Sequence, residues 1–333
     1  MAMVEEAAAQ PRRWPERVIT LGAPVVYLVA LGVSIATEGM PLARDKMFFW
    51  LVLGIAAFSV AAWRSWGTML LEWLPLFGLL VAYDYLRGAV SVTAGQAYIQ
   101  PQLDFDRWLF GGELPTVWLQ EHLFDPYHLH WYDFAAWVVY MSHFFVVWIV
   151  AAVLWKVAHH TYRRYATLAI LTTLAAFLGY WLYPAQPPWL AGELGSMPHV
   201  DRVVPLVWGD LGVPAAASLF ENGSGLVNLV AAMPSLHASF PFMLLLFFWP
   251  AGWWARIGFG AYALAMAFVL VYGGEHFVID VVVGWALTLI CFGIVTLVWR
   301  SRLLRRPDLR GLDRRGGADQ LDQPVAADEV AQR

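Results

Sequence analysis

Long apolar runs separated by short polar breaks organise this chain. Residues 18–36, 47–63, 69–87, 133–155, 166–183, 236–250, 256–273 and 277–299 are each close to continuously apolar. Most reach the ~18 residues or more that cross a bilayer as a helix. The pattern predicts an all-α fold: a polytopic transmembrane helical bundle of about eight spans. The first run follows basic residues but is long and lacks a small-x-small cleavage site, so it reads as a retained anchor and not a cleaved signal. Two stretches between runs are long, about 91–131 and 184–234. The first holds "DRWLFGGELPTVWLQEHLF", where Trp108, Leu109, Phe110, Trp118, Leu119 and Leu123 alternate with charges at near-helical spacing. That spacing predicts short amphipathic helices lying in the membrane interface.

Composition agrees with the pattern. The 333 residues are 60% hydrophobic and 14% charged, whereas soluble domains carry about a quarter charged residues. A net charge of -4 carries no nucleic-acid signature. The single cysteine, Cys291, lies inside an apolar run and excludes an internal disulfide. Of the 21 basic residues, 16 fall on one side if the N-terminus is inside: Arg12, Arg13, Arg17, Arg64, Lys156, Arg163, Arg164, Arg256 and the tail arginines 300, 302, 305, 306, 310, 314, 315 and 333. Five fall on the other: Arg44, Lys46, Arg87, Arg107 and Arg202. This asymmetry puts both termini in the cytoplasm of a bacterial-type plasma membrane. Residues 1–17 are then a cytoplasmic N-terminus and 18–68 accessory spans. Residues 69–299 form the principal membrane domain, and 300–333 a charged tail of the composition of disorder.

With that orientation, polar residues gather at the outer face. "YDYLRG" ends the third span with Tyr83, Asp84 and Arg87; "YPAQPPWL" ends the fifth and holds Gln186; "PSLHAS" opens the sixth; "GGEHFVID" opens the eighth. Ionisable groups at membrane depth cost free energy and tend to be functional. His276 and Asp280 are four apart, neighbours on one helix face. An aspartate bonded to one imidazole nitrogen fixes the tautomer and leaves the other as nucleophile or base; a self-satisfied interhelical pair is the structural alternative. Gly273 and Gly274 suit a tight turn or a close approach. Pro234 and Ser235 suit a helix start whose free N–H groups favour an anion, and His237 in that first turn could protonate a leaving oxygen. A plain cap with a histidine reaching for water is the equal alternative. Together the clusters supply what phosphoryl transfer through a phosphohistidine requires.

"PSLHA" followed about forty residues later by "HFVID" resembles the second and third signature motifs of the type 2 phosphatidic acid phosphatase superfamily. "PPW" at 187–189 and "AAMPSLHA" are more similar to the branch containing fungal inositol phosphorylceramide synthase, an inositolphosphotransferase. The resemblance covers roughly 69–299. It implies a six-helix phosphatase-like catalytic core in which His276 attacks phosphorus, Asp280 orients it, His237 protonates the leaving group and Ser235 holds phosphate. It implies a lipid phosphate or phospholipid substrate and water or an alcohol as acceptor; the convergence of the four polar clusters predicts an active site at the outer face, and a histidine nucleophile with a carboxylate partner requires no metal or other cofactor. Two features depart from the phosphatase branch: no basic pair precedes an Arg-Pro in the position of the first motif, and Leu270 stands where that branch has an arginine six residues before its nucleophile. Arg87, then Arg202, are the candidates to meet phosphate charge, with an ordinary interfacial role as the alternative for Arg87.

Asn228, Gln186, Asp84 and Tyr83 are further candidates for substrate contact, and so is Tyr180, with packing or capping as the alternative. His143 lies mid-span and either floors the pocket or bonds between helices. His122, His128 and His130 lack a convincing metal ligand set, and His159 and His160 lie on the inner side. Two other classes compete. "NGSG" at 222–225 approaches the G-x-S-G of intramembrane serine proteases, but with Asn for the first Gly and in a loop; no H-E-x-x-H is present. A lipid transporter, scramblase or non-catalytic lipid-binding relative would place its polar residues near the midplane instead of at one face. Oligomeric state is not readable from these patterns.

Overall fold

The computed structural model describes residues 14–38, 44–58, 67, 71–76, 78, 96–212 and 230–304. In chain order its helices are α1 (Trp14–Glu38), α2 (Arg44–Phe58), α3 (Gln100–Leu109), α4 (Pro115–Leu123), α5 (Trp131–Val157), α6 (His159–Leu182), α7 (Pro188–Glu193), α8 (Val203–Asp210), α9 (Leu236–Phe248), α10 (Trp253–Tyr272) and α11 (Val278–Leu304). A 3₁₀ turn, Trp249–Ala251, joins α9 to α10, and 71–76 is also helical. The described residues contain no strand, only two isolated parallel bridges, Tyr98 to Ala185 and Ala185 to Ala231. Trp131–Val157, His159–Leu182, Trp253–Tyr272 and Val278–Ser301 are long and apolar enough to cross a membrane; Gly22–Ile35 and Leu236–Ala251 are shorter apolar helices. The chain is an all-α integral membrane protein. Most of the span expected at 69–87 lies outside the described residues.

Helix starts follow the local sequence. A capping box between His130 and Asp133 opens α5, with the His130 N–H donating to Asp133 Oδ2 at 2.7 Å. Helix α6 begins seven residues before the apolar run expected at 166, because the polar "HHTYRR" turn is itself helical. Glu72 holds that turn, accepting from Arg163 at 2.7 Å, Trp155 Nε1 at 2.9 Å and pairing with His159 at 2.9 Å. Along α6 the buried face presents Ala166, Ala169 and Ala176, small residues that let membrane helices approach closely.

One apolar cluster sits beneath the polar clusters. It joins Met266 and Leu270 of α10, Ala238 of α9, Tyr140 and Met141 of α5, and Val281 of α11. Short helix α8 enters the same cluster through Val203, Val204, Val207 and Trp208, all at most 2% exposed. Part of the stretch expected between the fifth and sixth spans is therefore core. By internal packing the chain parts into two units, Met1–Phe292 and Gly293–Arg333. The histidine clusters lie in the first; of the second, only the end of α11 is described.

Candidate active site

Ser235 is the N-cap of α9, and its Oγ accepts from the Ala238 N–H at 3.3 Å. This satisfies one of the donors that a helix start leaves open. The backbone around it is pinned from two directions. The Ala232 N–H donates to the Ala185 carbonyl at 3.2 Å, and the Ala185 N–H to the Val230 carbonyl at 2.8 Å. The Ser235 N–H donates to the carbonyl of Asp280 at 3.0 Å, so the starts of α9 and α11 are joined directly. Gly284 makes that contact possible: a Cβ there would stand 2.5 Å from the Ser235 carbonyl oxygen.

The turn before α11 carries the other histidine. Gly274 has φ +74°, and a Cβ on it would lie 2.7 Å from the Asp201 carbonyl oxygen. Both demands exclude a side chain. The Glu275 and His276 N–H groups then close back on the Leu270 carbonyl at 3.0 and 3.1 Å. His276 Nδ1 comes to 3.5 Å from Asp280 Oδ2, with both side chains buried. Among the described residues neither His276 Nδ1 nor Asp280 Oδ1 has a formed hydrogen bond. Catalytic hydrogen bonds are often long before substrate binds. Asp280 Oδ2 also accepts the Phe277 N–H at 2.9 Å, so this aspartate reaches back over the first turn as a capping residue does.

The His237 ring centroid lies 5.6 Å from that of His276. On its other side His237 stacks on Tyr140 at 4.9 Å and meets His143 at 4.1 Å. His143 stacks in turn on Phe240 at 5.1 Å. His143 Nδ1 and His237 Nε2 are buried and have no hydrogen-bond partner among the described residues. Three imidazoles from α5, α9 and the turn before α11 thus form one row, with unsatisfied nitrogens of the kind that buried polar groups seldom keep unless a ligand uses them.

Arg202 closes the site from the stretch between α7 and α8. Its guanidinium pairs with the Glu275 carboxylate at 2.9 Å and lies 4.6 Å over the Trp189 ring. It is within electrostatic reach of His237. Gln120 fixes this arrangement: its amide accepts the Asp201 N–H and donates to the carbonyls of Asp201 and Tyr272, each at 2.8 Å. The Trp189 N–H donates to the Gly274 carbonyl at 3.0 Å. Of the expected site residues, the structure gathers His276, Asp280, His237, Ser235, His143 and Arg202. Gln186 is buried, and its amide donates to the Ala97 carbonyl at 3.5 Å. Tyr83, Asp84, Arg87 and Asn228 lie outside the described residues.

Four contributors were not expected from the sequence. Glu275 stands beside His276 in the quoted motif, and Trp189 ends "PPW", but nothing local says that both hold Arg202. Gln120 and Asp106 carry no local signal; their partners are up to 173 residues away. Asp106, on α3, has no exposed surface and accepts the Val278 and Ile279 N–H groups at 3.0 and 3.2 Å. Burial pushes its carboxyl up to about 6; the two amide bonds oppose that rise and nearby Asp280 adds to it.

Beside the site an apolar cleft of about 550 Å³ lies among α4, α10 and α11, with Trp118, Leu119, Phe268, Val271, Val282 and Trp285 in its walls. Val278, Val281, Val282 and Trp285 form one i, i+3, i+4, i+7 stripe of α11. Glu113 is the one charged side chain in the lining.

Comparison with known proteins adds two findings. The family model described as PAP2 superfamily matches residues 103–294. The phosphoinositol dihydroceramide synthase of Bacteroides thetaiotaomicron is 25% identical over 273 residues, 78% of this chain and 86% of that protein. No solved structure matches the chain.

Proposed function

We propose, since the chain belongs to the PAP2 superfamily, that it is a membrane phosphotransferase or phosphatase acting on a lipid phosphate through a covalent phosphohistidine. One observation carries this reading: His276, with Asp280 at its Nδ1 side, has its ring centroid 5.6 Å from that of His237. In the first step His276 Nε2 attacks phosphorus and the bond from phosphorus to the leaving lipid or alcohol oxygen breaks. His237, protonated, gives its proton to that oxygen. In the second step neutral His237 takes a proton from the acceptor hydroxyl, whose oxygen attacks phosphorus; the P–N bond breaks and His276 is restored. Asp280 holds the His276 tautomer and stabilises the charge that develops on the ring. The Arg202 guanidinium and the first turn of α9 face the phosphoryl oxygens in the role assigned to the missing first-motif basic residues. Ser235 and His143 complete the phosphate surroundings. Arg87, Asp84, Tyr83, Asn228 and Gln186 stay as candidates for the headgroup.

Water as acceptor makes the enzyme a phosphatase and an alcohol makes it a transferase. The Bacteroides relative is a phosphoinositol dihydroceramide synthase by name, which favours transfer of a phosphoalcohol headgroup of the inositol-phosphate type. The excess of basic residues in the proposed cytoplasmic segments supports a site at the outer face. A histidine nucleophile needs no Lewis acid, so activity survives EDTA and vanadate inhibits.

The deciding experiment incubates purified protein with phosphatidic acid and with phosphatidylinositol, each with and without an acceptor alcohol. Free phosphate from phosphatidic acid, or inositol phosphate from phosphatidylinositol, supports the phosphatase; a phosphomonoester of the acceptor from the first lipid, or a new phosphodiester from the second, supports the transferase. No turnover of either lipid, together with lipid movement between bilayer leaflets, establishes the transporter or scramblase alternative.

A further inference from the structure

The first turn of α11 is held by two carboxylates, and only one belongs to the motif. A helix start exposes N–H groups without partners. Here the Phe277 N–H is taken by Asp280 Oδ2 at 2.9 Å, the Val278 N–H by Asp106 Oδ2 at 3.0 Å and the Ile279 N–H by Asp106 Oδ1 at 3.2 Å. Asp106 arrives from α3, an element remote in sequence, and is fully buried. It sits close enough to Asp280 for their charges to repel. Water or a neutral side chain could satisfy one of these donors. A carboxylate that bridges two successive amides also fixes the rotation and tilt of the turn, and its charge complements the positive end of the helix. The fold keeps this group although burial raises its proton affinity.

We propose that Asp106 is a positioning residue: by clamping the Val278 and Ile279 amides it sets where Asp280 stands relative to His276. The inference rests on the phosphohistidine reading above. Helix α3 is the arm that carries the clamp. On its buried side stand Gln102, Leu103 and Asp106, with Gln102 Nε2 bonded to the Tyr98 carbonyl at 3.2 Å. Its other side exposes Trp108 and Leu109. Because Asp280 contributes both a side-chain oxygen toward His276 and its carbonyl to Ser235, a tilt of this turn shifts the aspartate and its coupling to α9 together.

The test measures formation of the covalent enzyme at saturating substrate in detergent, with phosphate-labelled phosphatidic acid and phosphatidylinositol as probes and an alkaline quench that preserves the P–N bond. Wild type, Asp106→Asn, Val278→Pro and His276→Ala are compared. Asparagine keeps one acceptor oxygen and turns a donor against an amide. Proline at the first helical position is tolerated by helices and deletes one donor while Asp106 stays, so it serves if Asp106→Asn does not fold. Both variants are expected to trap label to the wild-type amplitude at a rate lower by about ten- to hundredfold, the cost of misplacing a reacting group by an ångström or so. A wild-type rate in the folded variants overturns the positioning role. A lower amplitude at the wild-type rate shows a fold-only role and also overturns it. A wild-type protein that traps no label overturns the phosphohistidine reading and this inference with it.

Discussion

His276 and His237 differ in what surrounds them, and that difference separates their expected chemistry. His276 has a buried carboxylate at 3.5 Å from Nδ1, the arrangement of an oriented nucleophile. His237 stands between imidazole and phenol rings, with no carboxylate bonded to it among the described residues. His276→Ala is expected to abolish the covalent intermediate with every substrate. His237→Ala removes a proton donor, a loss of ~10²–10⁴ in rate for a poor leaving group. A p-nitrophenyl substrate, whose leaving oxygen needs no proton, is expected to recover most of the His237→Ala defect and none of the His276→Ala defect. Equal responses of the two variants to leaving-group acidity reverse the assignment. A second residue-scale expectation concerns Asp106. Its carboxyl is raised from 3.8 to about 6, so the folded protein holds this proton more tightly than the unfolded chain does. The contribution is fully present below about 4 and is lost as pH rises toward 6. Thermal unfolding in detergent is expected to show the stability of wild type relative to Asp106→Asn falling across that window and levelling above it. A rise with pH contradicts the burial argument.

At the scale of elements, α4, α10 and α11 enclose a cleft that starts two residues after His276 and runs along one stripe of α11. Its volume and apolar walls suit a hydrocarbon chain. A long-chain lipid phosphate is expected to exceed its soluble headgroup in kcat/KM by a large factor, and Val282→Trp to erase most of that preference while leaving turnover of the headgroup alone unchanged. Equal use of both by the wild type removes the cleft from the substrate path. The helices themselves were legible from apolar periodicity: 133–155, 236–250, 256–273 and 277–299 each fall within a few residues of α5, α9, α10 and α11. The start of α6 was not, because a polar turn can be helical once Glu72 ties it down. Within the site, His276, Asp280, His237 and Ser235 announced themselves through local spacing at two helix starts. Asp106 and Gln120 did not, because a hydrogen bond to a distant backbone amide or carbonyl leaves no periodic trace. Arg202 was legible as a cation between two apolar runs, but its pairing with Glu275 and its place over Trp189 arise only when three separate stretches meet.

For the whole molecule, the charge asymmetry makes a directional prediction. A membrane-impermeant probe attached near Arg107 or Asp201 is expected to react in intact cells, and one near Arg163 only after the membrane is opened. The reverse pattern would invert the chain and move the site to the cytoplasmic side.

The single bond from the Ser235 N–H to the Asp280 carbonyl, seated over Gly284, has a consequence for how such an enzyme diversifies. It makes the helix starts carrying His237 and His276 one inflexible die, in which neither half can be adjusted without the other. Novelty in the lipid accepted has to come from the parts laid against that die: the walls that α4 and α10 give the apolar cleft. Grafting those walls between relatives should exchange one lipid for another while the bond-breaking step keeps its intrinsic rate. Point changes within the die should trade speed alone.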